Sequence, residues 1–326
     1  MIANQRKIEL PDRRQSAVLA LGGGGARGLA HFGAIQSVQE AGFEIVRIVG
    51  TSMGSLVGAV SACDDHIPRV SAQAVEYVTS DRFRAKQESL CGAHPKPEER
   101  SSSGMLAWYD RIKSYLWSRH LLSRVFSRRS LLSSQFMEEV IDALVPDIDI
   151  SETEIPFSIV TVDLRSGRQV VLEHGSLRKA VLASAAIPGI FPPVEWDGLL
   201  LCDIGVLDSL PSEVAKSYDA SVHIGVDVGP ALQSTDDCES ALHVLLRMDE
   251  IGERLLRRHA LKNVDVLIRP EVGNCQWFDF SDPDELIQNG LRAGRHALAK
   301  WRNQRKLDPP SQRAPLIFQL PKLSLE

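Results

Sequence analysis

No stretch of this chain approaches the run of about twenty apolar residues that a helix needs to cross a bilayer. The opening residues, MIANQRKIELPDRRQ, carry charge with no apolar block behind them, the reverse of a secretory leader. Both absences lead to the expectation of a cytoplasmic protein. Cysteine is scarce and odd in number: Cys63, Cys91, Cys202, Cys238 and Cys275 form no CxxC pair and no His-Cys cluster. That pattern suggests neither a zinc site nor a disulfide framework, and it fits a reducing compartment. Excess positive charge is also missing. Lys and Arg number 37 against 42 Asp and Glu, a net charge of −5, which argues against a nucleic-acid partner.

What is present is ordinary for a globular enzyme: 326 residues, 44% of them apolar and 24% charged. That length is enough for one large domain or two modest ones. Ala17 to Leu21 is a short apolar run ending in four glycines, a buried strand and a tight turn. Helical spacing follows from Arg27 to Ala41, through Leu29, Phe32, Ile35 and Val38, and stops at Gly42. Phe43 to Val49 predicts a second strand, and the small apolar segment MGSLVGAVSA a second helix. Strand, helix, strand, helix with short connections means a parallel sheet covered by helices.

The pattern resumes with strands over Ile155–Val162, Gln169–Leu172, Leu199–Cys202, Val222–Val228 and Val264–Ile268. Helices are expected over Leu177–Ala186, Ala241–Asn263 and Glu285–Trp301. Between the two halves, from Asp81 to Arg129, the periodicity is lost. The organisation read from this is one domain over 16–302 with an insertion at 81–130, a tail at 1–15 and a tail at 303–326.

The insertion has its own character. From Trp108 to Arg129 there are six basic residues, Arg111, Lys113, Arg119, Arg124, Arg128 and Arg129, and one acid, Asp110. Trp108, Ile112, Tyr115, Leu116, Leu122 and Phe126 recur at roughly helical spacing. Such a segment suits transient contact with an anionic membrane surface, peripheral to the inner face, or a cap packed on the main domain.

The chemistry concentrates in VGTSMGSL, where Ser52 lies between Gly50 and Gly54 just after the second strand. In a parallel sheet that is where ligands bind. The G-x-S-x-G spacing is that of a nucleophile elbow: the serine sits in a strained turn, and its neighbours two residues away must lack side chains so that strand and helix can approach. The bare pattern arises by chance about once in ten chains of this length, so its position at a strand-to-helix junction carries the argument.

The loop LGGGGARG offers Gly22 to Gly25, Arg27 and Gly28, a glycine run at a helix start whose amides form an anion-binding concavity. Gly23, Gly25 and Gly28 also fit a dinucleotide fingerprint, but the acidic residue that should end the next strand is replaced by Gly50-Thr51-Ser52, and a P-loop lysine is absent. An oxyanion hole uses the same amides and wants a nucleophile beside it. For a general base, residue chemistry leaves Asp163, Asp203 and Asp227 open, each at the end of an apolar run. A Ser…Asp…His order would admit His223, His243, His259 or His296, all inside strand or helix patterns, while His31 reads as a packed histidine.

The pairing of a G-G-G-x-R-G loop with G-x-S-x-G about two dozen residues later resembles the patatin-like phospholipases. Ala183-Ser184-Ala185-Ala186-Ile187-Pro188 is similar to that family's A-S-x-x-x-P block, and Asp203-Ile204-Gly205 falls where its Asp-Gly-Gly or Asp-Gly-Ala motif lies. The likeness runs from about Ala17 to Trp301. It implies a three-layer α/β/α patatin-like fold with a mainly parallel central sheet and an inserted helical cap. It also implies a Ser–Asp dyad of Ser52 and Asp203, an oxyanion loop of Gly23, Gly24, Gly25, Ala26 and Arg27, and no metal or organic cofactor. The implied activity is hydrolysis of phospholipid or lysophospholipid esters. A silent lipid-binding or regulatory protein and a nucleotide-binding protein are the alternatives. One departure stands out: Ile204 replaces the glycine after the aspartate, and Asp208-Ser209 stands where asparagine is common. Isoleucine suits positive φ poorly, which predicts a differently aimed turn at Asp203.

Overall fold

A computed structural model describes residues 15–91, 129–130, 132–229, 238, 240–273 and 275–307. Most of the expected insertion, 92–128, lies outside the described residues, and with it the basic amphipathic stretch up to Arg128. Its first part, where the sequence shows no periodicity, is a helix, Asp81–Cys91.

An eight-stranded mixed sheet organises the chain. Its strands are β1 (Ser16–Leu21), β2 (Glu44–Gly50), β3 (Phe157–Asp163), β4 (Gln169–Leu172), β5 (Val194–Trp196), β6 (Leu199–Cys202), β7 (Val222–Val226) and β8 (Val266–Ile268). The pairing path runs β5-β6-β3-β2-β1-β7-β8, with β4 off that path on β3. Pairings among β3, β2, β1, β7 and β8 are parallel; those of β4, β5 and β6 are antiparallel.

Burial on both faces follows from the strand period of two. Along β1, Ala17, Leu19 and Leu21 enter one core, while Val18 and Ala20 enter another with Val49, Val160 and Leu210. The first face is covered by α1 (Ala30–Glu40), α2 (Met53–Cys63), the helix Leu177–Ser184 and the long helix Pro283–Leu307. The second is covered more thinly, by Val214 and Ala215 of the short helix Ser212–Lys216 and by Leu261. Helices on both faces of the sheet give the expected three layers. Helix Pro283–Leu307 runs six residues past the predicted end at Trp301, and the glycine loop forms a 3-10 turn over Gly25–Leu29 before α1.

Two strands meet on one edge of β3, and this positions the site. Ile159 pairs with both Gly50 of β2 and Leu172 of β4. Val162 pairs with both Gln169 of β4 and Cys202 of β6. Thus β4 takes one edge of β3, while β2 and β6 share the other from opposite directions. Their carboxyl ends face each other across Val160 and Thr161. The residues that leave those ends, Ser52 after β2 and Asp203 after β6, are thereby aimed at the same point.

Candidate active site

Ser52 caps α2 with φ 55° and ψ −124°, one of two non-glycine residues at positive φ among those described. Such a conformation costs about 1–3 kcal/mol and persists only where its surroundings impose it. The flanking glycines explain how. A Cβ on Gly50 would lie 2.5 Å from the Gly54 carbonyl oxygen, and one on Gly54 would collide with the carbonyl of Leu21. The chain therefore turns sharply at Ser52 with strand and helix in contact, and the N-terminus of α2 points at the hydroxyl's surroundings.

Three bonds fix the bend. The Ser52 amide donates to Ser184 Oγ at 2.9 Å, and Ser184 Oγ donates to the Val160 carbonyl at 2.8 Å. Ser184 thus fills the stretch of β3 edge that neither β2 nor β6 covers. The Ser52 carbonyl accepts from Ser55 Oγ at 2.6 Å. Ser184 belongs to the A-S-x-x-x-P block, and its place beneath the elbow had no signal in the sequence beyond that motif.

Asp203 is buried, and the neighbouring Ser52 side chain stabilises its ionised carboxylate. Oδ1 also accepts from the Gly205 amide at 2.7 Å, and the Asp203 amide donates to the Ala186 carbonyl at 3.0 Å. Burial pushes its pKa up to about 6, and the Ser52 side chain and the Gly205 amide hold it from rising further. Ile204 does not turn this group away. It lies outside positive φ and packs into the core with Val18, Val49 and Cys202, and the close approach falls on Gly205, where a Cβ would stand 2.9 Å from Oδ1. The motif's first glycine is dispensable here because the turn places its demand one residue later.

The glycine loop follows β1, the strand next to β2 with Leu21 opposite Gly50, so loop and elbow leave the same edge side by side. A Cβ on Gly23 would come within 3.2 Å of Ser52 Cβ. The Gly23 amide is engaged by the Ser209 carbonyl and that of Ala26 by the Trp277 carbonyl. Among the described residues, Gly24 and Gly25 donate to no backbone carbonyl. Arg27 Nε donates to the Gly24 carbonyl at 3.0 Å.

Hydroxyl, carboxylate and loop open into one cavity of about 270 Å3. Leu56, Phe136, Met137, Ile187, Phe191 and Phe278 are among its apolar lining residues, and Glu253, Arg254 and Arg257 among its charged ones. A smaller apolar cavity of about 50 Å3 shares Met53, Leu56, Phe136, Met137 and Phe280 with it.

Comparison with known proteins gives this arrangement a lineage. The family model described as "Patatin-like phospholipase" matches residues 19–216, from the middle of β1 to the end of the helix after Asp203. The chain belongs to the patatin-like phospholipase family. An uncharacterized NTE family protein of Mycobacterium tuberculosis (strain ATCC 25618 / H37Rv) is 34% identical over 218 residues, 65% of this chain and 50% of that protein. Mouse patatin-like phospholipase domain-containing protein 7 is 28% identical over 310 residues, 87% of this chain and 20% of the relative. The chain thus spans half or less of the length of these relatives. Among solved structures, VipD from Legionella pneumophila superposes with a TM-score of 0.42 at 14% identity, covering 90% of this chain and 67% of that one.

The other candidates in this patatin-like chain have structural duties. Asp163 accepts from Ser166 Oγ and from the amides of Leu200, Arg165 and Ser166, which hold its carboxyl down at about 2. Asp227 is paired with Arg257 and Arg269. No histidine among the described residues lines the cavity. His31 is fully buried, its pKa lowered by that burial to about 4, and its neutral Nε2 donates to the Gly22 carbonyl at 2.8 Å. It supports the glycine loop from below. His223 bonds the Tyr218 carbonyl and pairs with Asp265, on a strand that carries it to the far side of β1 from β2. No helix among the described residues is long and apolar enough to cross a membrane.

Proposed function

We propose that this protein is a serine acyl hydrolase of lipids, cleaving phospholipid or lysophospholipid esters with Ser52 as nucleophile and Asp203 as base. The observation that carries the reading is a hydroxyl held at positive φ beside a buried carboxylate that it stabilises and whose pKa is near 6, both lining one largely apolar cavity. A carboxylate with that pKa is ionised at neutral pH and still basic enough to share a proton with an attacking alcohol. Membership of the patatin-like phospholipase family supports the lipid class of substrate.

In the proposed reaction, Ser52 Oγ attacks the ester carbonyl carbon and its proton passes to Asp203. The carbonyl π bond breaks toward oxygen, and the resulting oxyanion meets the amides of Gly24 and Gly25. Collapse expels the alcohol portion, which takes the proton from Asp203 and leaves an acyl-serine. Water then attacks the acyl carbon, gives its proton to Asp203, and a second collapse returns that proton to Ser52 and releases the fatty acid. The acyl chain lies along Leu56, Phe136 and Phe278.

A fluorophosphonate probe should label the protein and fail on Ser52→Ala. Asp203→Asn should lose fatty-acid release from lysophospholipid and from a short soluble ester alike. Absence of labelling in folded protein would reject the enzyme reading in favour of a silent lipid-binding or nucleotide-binding role. Activity retained in Asp203→Asn but lost in a histidine variant would reject the dyad.

A further inference from the structure

The helix Ala241–Ala260 is inverted. A helix on a globular protein buries its apolar stripe and turns its charges to water. Here Leu245 is 67% exposed, Met248 59%, Leu255 51%, Val244 47% and Leu256 45%. These are five of the eight exposed large hydrophobic residues among those described. With 100° between successive residues, positions 244, 248 and 255 form one line and 245 and 256 the line beside it, a single outward face. Among the described side chains, the inward face carries the buried and paired charges. His243 and Arg257 are buried, Arg247 pairs with Glu250 at 3.0 Å, and Arg257 meets Asp227 and Glu253.

That inward face is also a wall of the cavity that holds Ser52, through Glu253, Arg254 and Arg257. The helix therefore borders the site, with its charges toward the reacting groups and its apolar side toward solvent. A further exposed apolar residue, Leu207 at 56%, follows directly on Val206, which lines the cavity. The ionic sign of the outer surface is consistent as well. Arg258, His259 and Lys262 are exposed, while Asp249, Glu250 and Glu253 are all partly buried.

We propose that the outward face of helix Ala241–Ala260 is a docking surface for an anionic phospholipid bilayer, seating the cavity over the membrane. The apolar stripe enters the boundary between head groups and acyl chains, as interfacial helices do, and Arg258 and Lys262 meet lipid phosphates. A polar helix face packed on protein and an apolar face turned outward is the orientation that this requires. A second copy of the chain is the competing occupant, but self-association would cover the cavity rim with protein rather than with substrate. The proposal rests on the lipid-hydrolase reading only for its purpose; the surface is tested without catalysis.

The test uses Ser52→Ala protein and sedimentation with vesicles of roughly three parts phosphatidylethanolamine to one part phosphatidylglycerol. Ser52→Ala should pellet with them, and adding Leu245→Glu, Met248→Glu and Leu255→Glu together should lower the partition coefficient at least about tenfold. On the Ser52 background, the same three changes should leave hydrolysis of a monomeric soluble ester unchanged and depress hydrolysis of vesicle lipid. A milder Met248→Ser variant, expected to lose about threefold in partitioning, serves if the triple variant does not fold. Parent protein that ignores the vesicles would overturn the proposal, as would a folded triple variant that pellets like its parent. So would a parent dimer that the triple substitution converts to monomer without change in vesicle binding. Absence of soluble-ester activity in the protein with Ser52 intact would instead reject the hydrolase reading and leave the docking result standing.

Discussion

Replacing Asp203 by Asn should make the protein more stable, and increasingly so as pH rises. The carboxyl is buried with a pKa near 6, against about 3.9 for an aspartate in an unfolded chain. A carboxyl whose folded pKa is raised holds its proton more tightly when folded. Its contribution is therefore fully present below about pH 3.9 and is lost as pH climbs through about 6. A rise of about two pKa units corresponds to about 3 kcal/mol, of which about 2 kcal/mol fall between pH 4.5 and 7.5. Asn is isosteric, and its carbonyl oxygen can keep the Gly205 amide as donor, so the comparison isolates the charge. Urea unfolding of wild type and Asp203→Asn, followed by circular dichroism across that pH range, measures the difference directly. Titration of every other group cancels between the two proteins. The stability gap should widen by about 2 kcal/mol toward alkaline pH. A gap that stays constant, or narrows, would refute the claim that burial of this carboxylate is opposed by the fold.

The same raised pKa gives the rate a pH profile. The value of kcat/KM for a soluble ester should fall about tenfold per unit below pH 6, and a profile flat down to pH 5 would show that Asp203 is not the base. Gly205→Ala places a methyl group 2.9 Å from Asp203 Oδ1 and displaces the carboxylate, so activity should drop about 100-fold while the circular dichroism spectrum is kept; unchanged activity would count against the role given to this glycine. Ser184→Ala leaves the Ser52 amide and the Val160 carbonyl unpaired at once. It should cost about 1–3 kcal/mol in urea unfolding and lower kcat while KM stays near its original value; a variant impaired only in KM would argue against a positioning role.

The parts of the site that were legible in the sequence are those written as local backbone demands. Gly50 and Gly54 around Ser52, and the glycine run after β1, appear in the structure for the steric reasons that the spacing suggests. Strand assignments over β1, β2, β4 and β6 hold to within a residue. Other features are relations between distant segments, which a pattern of residues does not carry. The four residues LLLC of β6 give no sign that they run against β3, yet that direction is what brings Asp203 to Ser52. Ile204 looked like an obstacle because the motif was read one residue too early; Gly205 takes the close contact. The engagement of the Gly23 and Ala26 amides depends on the carbonyls of Ser209 and Trp277, both far away in the chain. Periodicity located the helix over 241–260, but periodicity is blind to which side faces the protein.

The strand β3 supplies neither of the two paired groups, and yet it sets the distance between them. β2 leaves its edge at Ile159 and β6 arrives at Val162, so the spacing of hydroxyl and carboxylate is gauged by two residues of extended chain, at about 3.3 Å each. An inserted or deleted residue at Val160 or Thr161 would reset that gauge by a full step without touching any reacting atom. The tolerance of the proposed reaction is in this sense written into a ruler of ordinary valine and threonine.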